Sequence, residues 1–584
     1  MQDRPALTEN YIPTLITILY RPQYKIGSDN RPTSSNADMI ESPVVELPGD
    51  GLDQTQEINY STSPQNDGKR KKPVAFYMSF LALLIMVFLV SLDLSILAVA
   101  IPVITHELNG TTLEAFWASI SFLLAVVVVQ PIYTNISNVI GRMTPTYASF
   151  LFFIVGSVAF AVSKNMGVLI AGRVLQGLGS GGLDVLSEVI LADITTLKER
   201  PLYLGMLGIP LGAGAILGPV IGGLLSEFAT WRWIGWINLP LSTVGAALVF
   251  FFLQLRAIDR TFNESLRRLD WGGMVLFTAG CTLFASPVAW AGAMFPWSSW
   301  KTLLPLGLGV GLLLAFAWYE SKPVEPVFPY RIFKHRTASI TLLVAFIHGA
   351  VTYSIIFYTP LFFQVVYLEE PLQSSVSVLP MCCSTVGFSI VSAVGVEFFR
   401  KYRLITLVSW LFTAVGVGIF TLWGPSSSLA MKASFQVIAG VGIGTLFTVL
   451  PLPIQASVQH VDDMGLAAGI LVSFRLFGGL IGQSMCSTLF NSVLVRKIAP
   501  LGPLPGALDA LTDVREAIGF IPLLRDVDVA ADALGEVIDA YKFSMFAVFW
   551  MLAGLSVAGF LVSFLMQDIS LEADELGVQQ FEEK

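Results

Sequence analysis

LGMLGIPLGAGAILGPVIGGLL, residues 204–225, is an apolar run of helix length that carries Gly205, Gly214, Gly218, Pro219, Gly222 and Gly223. Gly214, Gly218 and Gly222 recur every four residues, so they line one face of a helix. In water each glycine disfavours a helix by about 1 kcal/mol relative to alanine. In lipid that content is tolerated, because small residues let two helix backbones approach closely. Pro219 removes a backbone donor and permits a bend. A smooth, bent, close-packed membrane helix points to helices that move against each other, hence to a transporter rather than an anchor.

The rest of the chain fits a polytopic membrane protein. Of 584 residues, 54% are hydrophobic and 13% charged, against roughly 25% charge in soluble globular domains. A span needs about 20 apolar residues to cross ~30 Å of hydrocarbon. Fourteen spans are expected, near 75–103, 116–133, 146–163, 167–191, 203–226, 233–254, 271–291, 302–319, 338–366, 376–398, 404–423, 431–456, 464–494 and 543–566, with 431–456 the least clean. Residues 1–68 are rich in Pro, Ser, Asn and Asp, the composition of a disordered tail. No secretory-signal pattern opens the sequence, so the first span is expected to act as the insertion signal. Cys281, Cys382, Cys383 and Cys486 all fall inside apolar runs and read as small buried hydrophobes rather than disulfides or metal ligands.

Charge asymmetry supports this span count. Lys69–Lys72, Arg142, Lys198, Arg200, Arg267, Arg268, Arg331, Arg336, Arg400 and Arg403 fall on alternate loops. The opposite loops hold Lys164, Arg232, Lys301 and Lys432. By the positive-inside rule both termini are cytoplasmic; loop 457–463, with Asp462 and Asp463, breaks the pattern. The reading divides the chain into a cytoplasmic tail 1–74, a six-helix bundle 75–255, a linker 256–335 with two further spans, a second six-helix bundle 336–566 and a cytoplasmic tail 567–584. Segment 495–542 reads as polar and external, and helical spacing near 527–541 predicts a short amphipathic helix on the membrane or over the outer mouth. Asn109-Gly110-Thr111 is a glycosylation acceptor on the outer side, or a chance match.

These features meet in one family. The Gly205–Gly223 pattern resembles the antiporter signature on the fifth helix of the major facilitator superfamily. LDLSILAVAIP (Leu92–Pro102) resembles the first-helix motif of its fourteen-span drug:proton antiporters, and AGRVLQGLGSGG (Ala171–Gly182) the fourth-helix motif, with Arg173, Gln176 and Gly177. WRWIGWINLP (Trp231–Pro240) resembles that branch's approach to the sixth helix. The likeness covers roughly 75–566 and is strongest to fungal multidrug and toxin exporters. One motif departs from the family pattern Gly-x-x-x-Asp-x-x-Gly-Arg: Thr134 and Asn138 replace the glycine and aspartate, while Gly141 and Arg142 remain. Asn138 carries no charge, so a latch between the two halves is weakened at this cytoplasmic gate. Arg142 is expected to pair with Asp193, or both are solvated loop charges.

The resemblance implies a group that takes and releases a proton inside the membrane, and ionised residues there are functional candidates by default. Asp93 on the first helix is the first candidate for proton binding, with Arg173 tuning it. The alternative is a static pair that fixes helix packing. Asp184 and Glu188, four apart on one helix face, are candidates for a cationic substrate or a second proton, or are merely hydrated. Gln176, Gln364, Arg475 and His348 are further cavity candidates, although a lone histidine is more often structural. Gly177-x-Gly179-x-x-Gly182 spells a dinucleotide motif but lies in mid-helix, where close packing explains it. No Walker sequence, zinc spacing or hydrolase triad is present, so no cofactor, no metal and no enzymatic activity are expected.

The expected fold is an all-α polytopic membrane protein with the major facilitator fold: fourteen transmembrane helices, 6+2+6, in two pseudo-symmetric bundles. The expected function is proton-coupled export of an amphipathic small organic molecule by alternating access, from a monomer in the plasma membrane, with no nucleic-acid partner. Siderophore uptake and vacuolar amino-acid transport, the latter in the vacuolar membrane, are the rival transport modes on the same fold. A non-transporting sensor would need a large folded tail.

Overall fold

Out of water, each apolar run must satisfy its backbone hydrogen bonds internally, which selects helices. The computed structural model describes residues 72–571, except 111, 256–263, 265–266, 292–294, 324–325, 459–462, 503, 506–507, 509–510, 512–519, 526 and 528. The tail 1–68, Lys69–Lys71, Thr111, Asp462 and 572–584 therefore lie outside the described residues.

The first six spans are α1 (Val74–Glu107), α2 (Thr112–Ile140), α3 (Met143–Ala161), α4 (Met166–Ile194), α5 (Arg200–Phe228) and the pair α6 (Trp233–Trp236) and α7 (Asn238–Phe252). Next come α8 (Trp271–Trp290), α9 (Trp300–Tyr319) and the short α10 (Tyr330–Phe333). The last six are α11 (Arg336–Val366), α12 (Pro371–Ser377) with α13 (Leu379–Phe399), α14 (Arg403–Gly418), α15 (Leu429–Val449) with α16 (Pro451–Ser457), α17 (Met464–Ile498) and α18 (Ala531–Ser563). Among the described residues, 14 segments are long and apolar enough to cross a membrane. The twelfth span reads poorly from sequence because Pro451 has no N–H with which to continue the ladder of α15, and a second short helix restarts there.

The two sets of six pack alike. In the first, α1 lies on α5 and α7, and α4 lies against both α2 and α3; in the second, α11 lies on α17 and α18, and α15 against both α13 and α14. α8 touches α2 and α17, and α9 packs on α8, so this pair lies outside both bundles.

The glycines of α5 serve two different neighbours. A Cβ at Gly214 would come within 2.7 Å of the Leu92 backbone nitrogen, and at Gly218 and Gly222 it would strike Ser95 and the Ile96 carbonyl. That face lies directly on α1, and Ser95 donates to the Gly214 carbonyl at 3.1 Å. Gly205 instead faces Ala393 and Ser389 of α13, where Ser389 donates to its carbonyl at 3.2 Å. Both Pro210 and Pro219 lie within α5, which stays helical throughout.

Two expectations need correction. α18 runs unbroken from Ala531, so 531–541 is the start of the last span's helix, not a separate amphipathic helix. Its apolar spacing comes from Val537, Ala540 and Tyr541, which are buried in the second bundle's core. Segment 495–542 is not a polar loop throughout, since Leu508, Leu511, Ile521 and Leu524 are buried in the same core. The first residues of the C-terminal tail are packed too: Tyr402 donates to the Gln567 carbonyl, and Leu571 is buried.

Candidate functional site

Among the described residues, three buried guanidinium–carboxylate pairs organise the interior. The first lies wholly within the first six spans. Asp93 of α1 is fully buried, and Arg173 of α4 donates to its Oδ2 from Nη1 at 2.7 Å. Asn238, the first residue of α7, donates to Asp93 Oδ1 at 2.9 Å, and Gln176 reaches the same oxygen at 3.4 Å. Gln176 also donates to Ser157 of α3 at 3.1 Å. Arg173 Nε donates to the Ala118 carbonyl at 3.3 Å, its Nη2 to the Asp93 carbonyl at 3.4 Å, and the group lies 4.1 Å over the Phe122 ring. Every nitrogen of this guanidinium is bonded, as a buried cation requires. Asn238, Ser157 and Phe122 were not singled out from sequence. Asn238 had a signal, since it lies in the WRWIGWINLP stretch; Ser157 and Phe122 had none.

The second pair closes one end. Arg142 Nε donates to Asp193 Oδ2 at 2.8 Å, and Nη1 donates to Ser137 Oγ at 2.9 Å and Asn138 Oδ1 at 2.6 Å. Both charged side chains are buried. Gly141 takes φ 103°, a left-handed conformation open to glycine, which turns the chain sharply into α3. The start of α17 sits on this pair: a Cβ at Gly465 would lie 2.9 Å from Arg142 Nη2 and 3.3 Å from Asp193 Oδ1. Arg200 crosses to the second six at the same end, donating to Gln455 Oε1 at 2.7 Å.

The third pair joins the two sets of helices. Arg475 of α17 approaches Glu188 of α4 at 3.5 Å, and Asp184, one turn away, accepts from Gln130 at 2.8 Å. Glu188 and Arg475 face a narrow cavity of about 20 Å³ with Asp184, Tyr353, Phe447 and Leu211. That volume holds about one water molecule.

Other candidates lie elsewhere. His348 Nε2 contacts the Ile443 carbonyl at 3.2 Å and its ring packs edge-on against Trp410, so it joins α11 to α15 and α14 and does not line this cavity. Gln364 donates to Ser374 at 3.0 Å and ties α11 to α12. Asn109 follows α1 with φ 50°. At the same end Arg232 holds the Glu107 carboxyl below its ordinary range, by a hydrogen bond that outweighs desolvation.

Comparison with known proteins accords with this architecture. The family model described as Major Facilitator Superfamily matches residues 83–483. The chain is 42% identical over 532 residues to the MFS-type transporter sphD of Aspergillus fumigatus, covering 90% of this chain and 92% of that one. It is 33% identical to the MFS-type efflux pump MMF1 of Pseudozyma antarctica, covering 87% and 94%. It is 31% identical to the efflux pump FUS6 of Gibberella fujikuroi, covering 90% and 94%. Among solved structures, the human organic anion transporter MFSD10 aligns with a TM-score of 0.54 at 13% identity, covering 84% of this chain and 100% of that one. The proton:xylose symporter XylE aligns with a TM-score of 0.54 at 11% identity, covering 86% and 98%. At these identities the structural likeness speaks to fold alone.

Proposed function

This chain belongs to the Major Facilitator Superfamily of membrane transporters, and on that premise we propose that it is a proton-coupled antiporter exporting amphipathic organic compounds from the cytoplasm. The curated relatives include efflux pumps, which favours export over uptake. The end closed by Arg142 and Asp193 is assigned to the cytoplasm, together with both termini, because the basic loops cluster there. The plasma membrane is the assigned location, and 75–255 and 336–566 are taken as the two rocking bodies.

One observation carries the coupling. Ser91 and Ser95 of α1 lie against the glycine face of α5, while Asp93 between them bonds Arg173 of α4. Proton binding and helix sliding therefore share one turn of α1. Protonation of Asp93 from outside removes the charge that holds Arg173, loosens the seat of α1 between α4 and α5, and biases the bundles towards the cytoplasm-open state. Release of that proton inside restores the pair after cargo has bound. Population of the two states then follows the proton gradient.

The test is flux in reconstituted vesicles. Cargo extrusion should stop when the pH gradient is collapsed with an ionophore, and the Asp93→Asn protein should show none of the gradient-driven component. Extrusion that continues unchanged after collapse refutes proton coupling.

A further inference from the structure

Building on the export reading, we propose that Arg475 is the carboxylate-recognition group of the transport site, so that the cargo is an amphipathic organic acid. Arg475 is 3% exposed, yet its Nε and Nη2 have no hydrogen-bond partner. Those two N–H groups lie along one edge of the guanidinium and form the fork that takes a carboxylate side-on. A buried charged donor left unbonded is costly to the folded state, and structures retain such groups where something else supplies the bond.

The contrast with the other buried arginines is direct. Arg173 and Arg142 each make a short bond to a carboxylate, at 2.7 and 2.8 Å, and add further oxygen partners. Arg475 has only Glu188 Oε1, at 3.5 Å from Nη1, well beyond the ~2.7–2.9 Å of a formed charge-assisted bond. Glu188 Oε2 is also unpartnered. The pair is thus loose, and Glu188 leaves the fork edge open.

Part of the cavity wall is apolar and suits a tail on that carboxylate. The guanidinium lies 4.5 Å over the Phe447 ring, which orients its plane. Val87, Leu207 and Leu211 from the first six spans, with Val472 and Leu476 from the last six, form the apolar part of a wall that Asp184, Ser187, Glu188 and Tyr353 complete. Both bundles contribute, so a molecule seated here is released when they part. The backbone behind Arg475 is fixed, because Gly349 of α11 lies directly on the Arg475 carbonyl.

Purified protein in nanodiscs provides the test, with octanoate and dodecanoate as probes and their methyl esters and amides as controls, read as the shift in melting temperature after correction against empty nanodiscs. The carboxylates should bind and the neutral analogues should not. Arg475→Lys keeps the charge but loses the fork, and should weaken carboxylate binding by roughly tenfold or more, the worth of one charge-assisted hydrogen bond. Glu188→Gln removes the internal competitor and should tighten it. Equal binding of acids and esters, or wild-type carboxylate affinity in Arg475→Lys, overturns the assignment. Nanodisc binding needs neither a gradient nor a direction. Carboxylate selectivity without directional efflux strikes only the export reading, and directional efflux without that selectivity strikes only the role of Arg475.

Discussion

The Asp93 and Arg475 regions are both buried guanidinium–carboxylate pairs, and they differ in where their partners come from. Asp93, Arg173, Gln176, Ser157 and Asn238 all belong to the first six spans and saturate one another. Arg475 belongs to the last six, and its one carboxylate belongs to the first six at 3.5 Å. A pair inside one bundle travels with that bundle, and only chemistry at the pair can open it. A pair between bundles opens whenever the bundles part, whatever its protonation. In the function proposed above, the first arrangement reads a proton and the second reads a separation or a ligand. A carboxylate and an arginine at membrane depth do not by themselves tell which job they do; the ownership of the remaining hydrogen bonds does.

The most severe way to break this comparison is Asp93→Asn. Gradient-driven efflux should fall by roughly a hundredfold or more, equivalent to about 2.7 kcal/mol of lost coupling. Removing one member of a buried pair also destabilises by about 3–5 kcal/mol, so the amount of folded protein must be measured alongside. The double variant Asp93→Asn/Arg173→Gln removes both charges and should recover folded protein without recovering coupling. If the double variant also recovers gradient-driven efflux, the Asp93–Arg173 pair is static and merely structural.

A smaller change makes the saturated region resemble the unsaturated one. Asn238→Ala deletes the 2.9 Å bond to Asp93 Oδ1 and leaves that oxygen only the long contact from Gln176. The loss is worth about 1–3 kcal/mol and bears directly on the ionised form. A roughly tenfold lower rate of gradient-driven efflux is expected. An unchanged rate would mean that the coupling does not depend on this bond to Asp93.

The sequence carried the fold further than it carried either site. Fourteen apolar runs and the alternation of Lys and Arg are local signals, and each span lies where its composition put it. Gly214, Gly218 and Gly222 were legible as a packing face from spacing alone, but the partner was not, and Gly205 turned out to serve α13 instead. Asp93, Arg173, Glu188 and Arg475 stood out because charge is rare at that depth. Ser157 did not, since a neutral polar residue in a membrane helix is unremarked until a charge is seen beside it, and Asn238 was legible only as part of the WRWIGWINLP stretch. The unpartnered edge of Arg475 was beyond reach, because an absent hydrogen bond has no sequence signature.

The Arg142 end sharpens the comparison from a third position, since its pair lies within one bundle yet is covered by the other. Asn138 already accepts from Arg142 at 2.6 Å. Asn138→Asp places a second carboxylate on the same guanidinium and holds the closed end harder. Turnover should slow roughly threefold, about 0.7 kcal/mol, with the pH profile unchanged, because the step affected is separation of the bundles rather than protonation. Faster turnover would mean that this end opens by another route.

The smallest effect tests whether pH dependence belongs to Asp93 at all. Glu320, just past α9, is buried, and its Oε1 accepts from the Phe328 backbone N–H. Burial, reinforced by Asp270 and opposed by that N–H, pushes its carboxyl from 4.5 up to about 7. The folded state therefore holds a proton that the unfolded chain has lost between those two values. Its contribution to stability is complete below about 4.5 and disappears as the pH rises through about 7. Glu320→Gln imitates the protonated acid, so it should flatten the fall in melting temperature across that window. It should leave the pH profile of efflux untouched, because α8 and α9 lie outside both bundles. Should the efflux profile flatten as well, the titration attributed to the saturated pair would belong to the linker, and the distinction between a proton-reading and a ligand-reading pair would lose its main support.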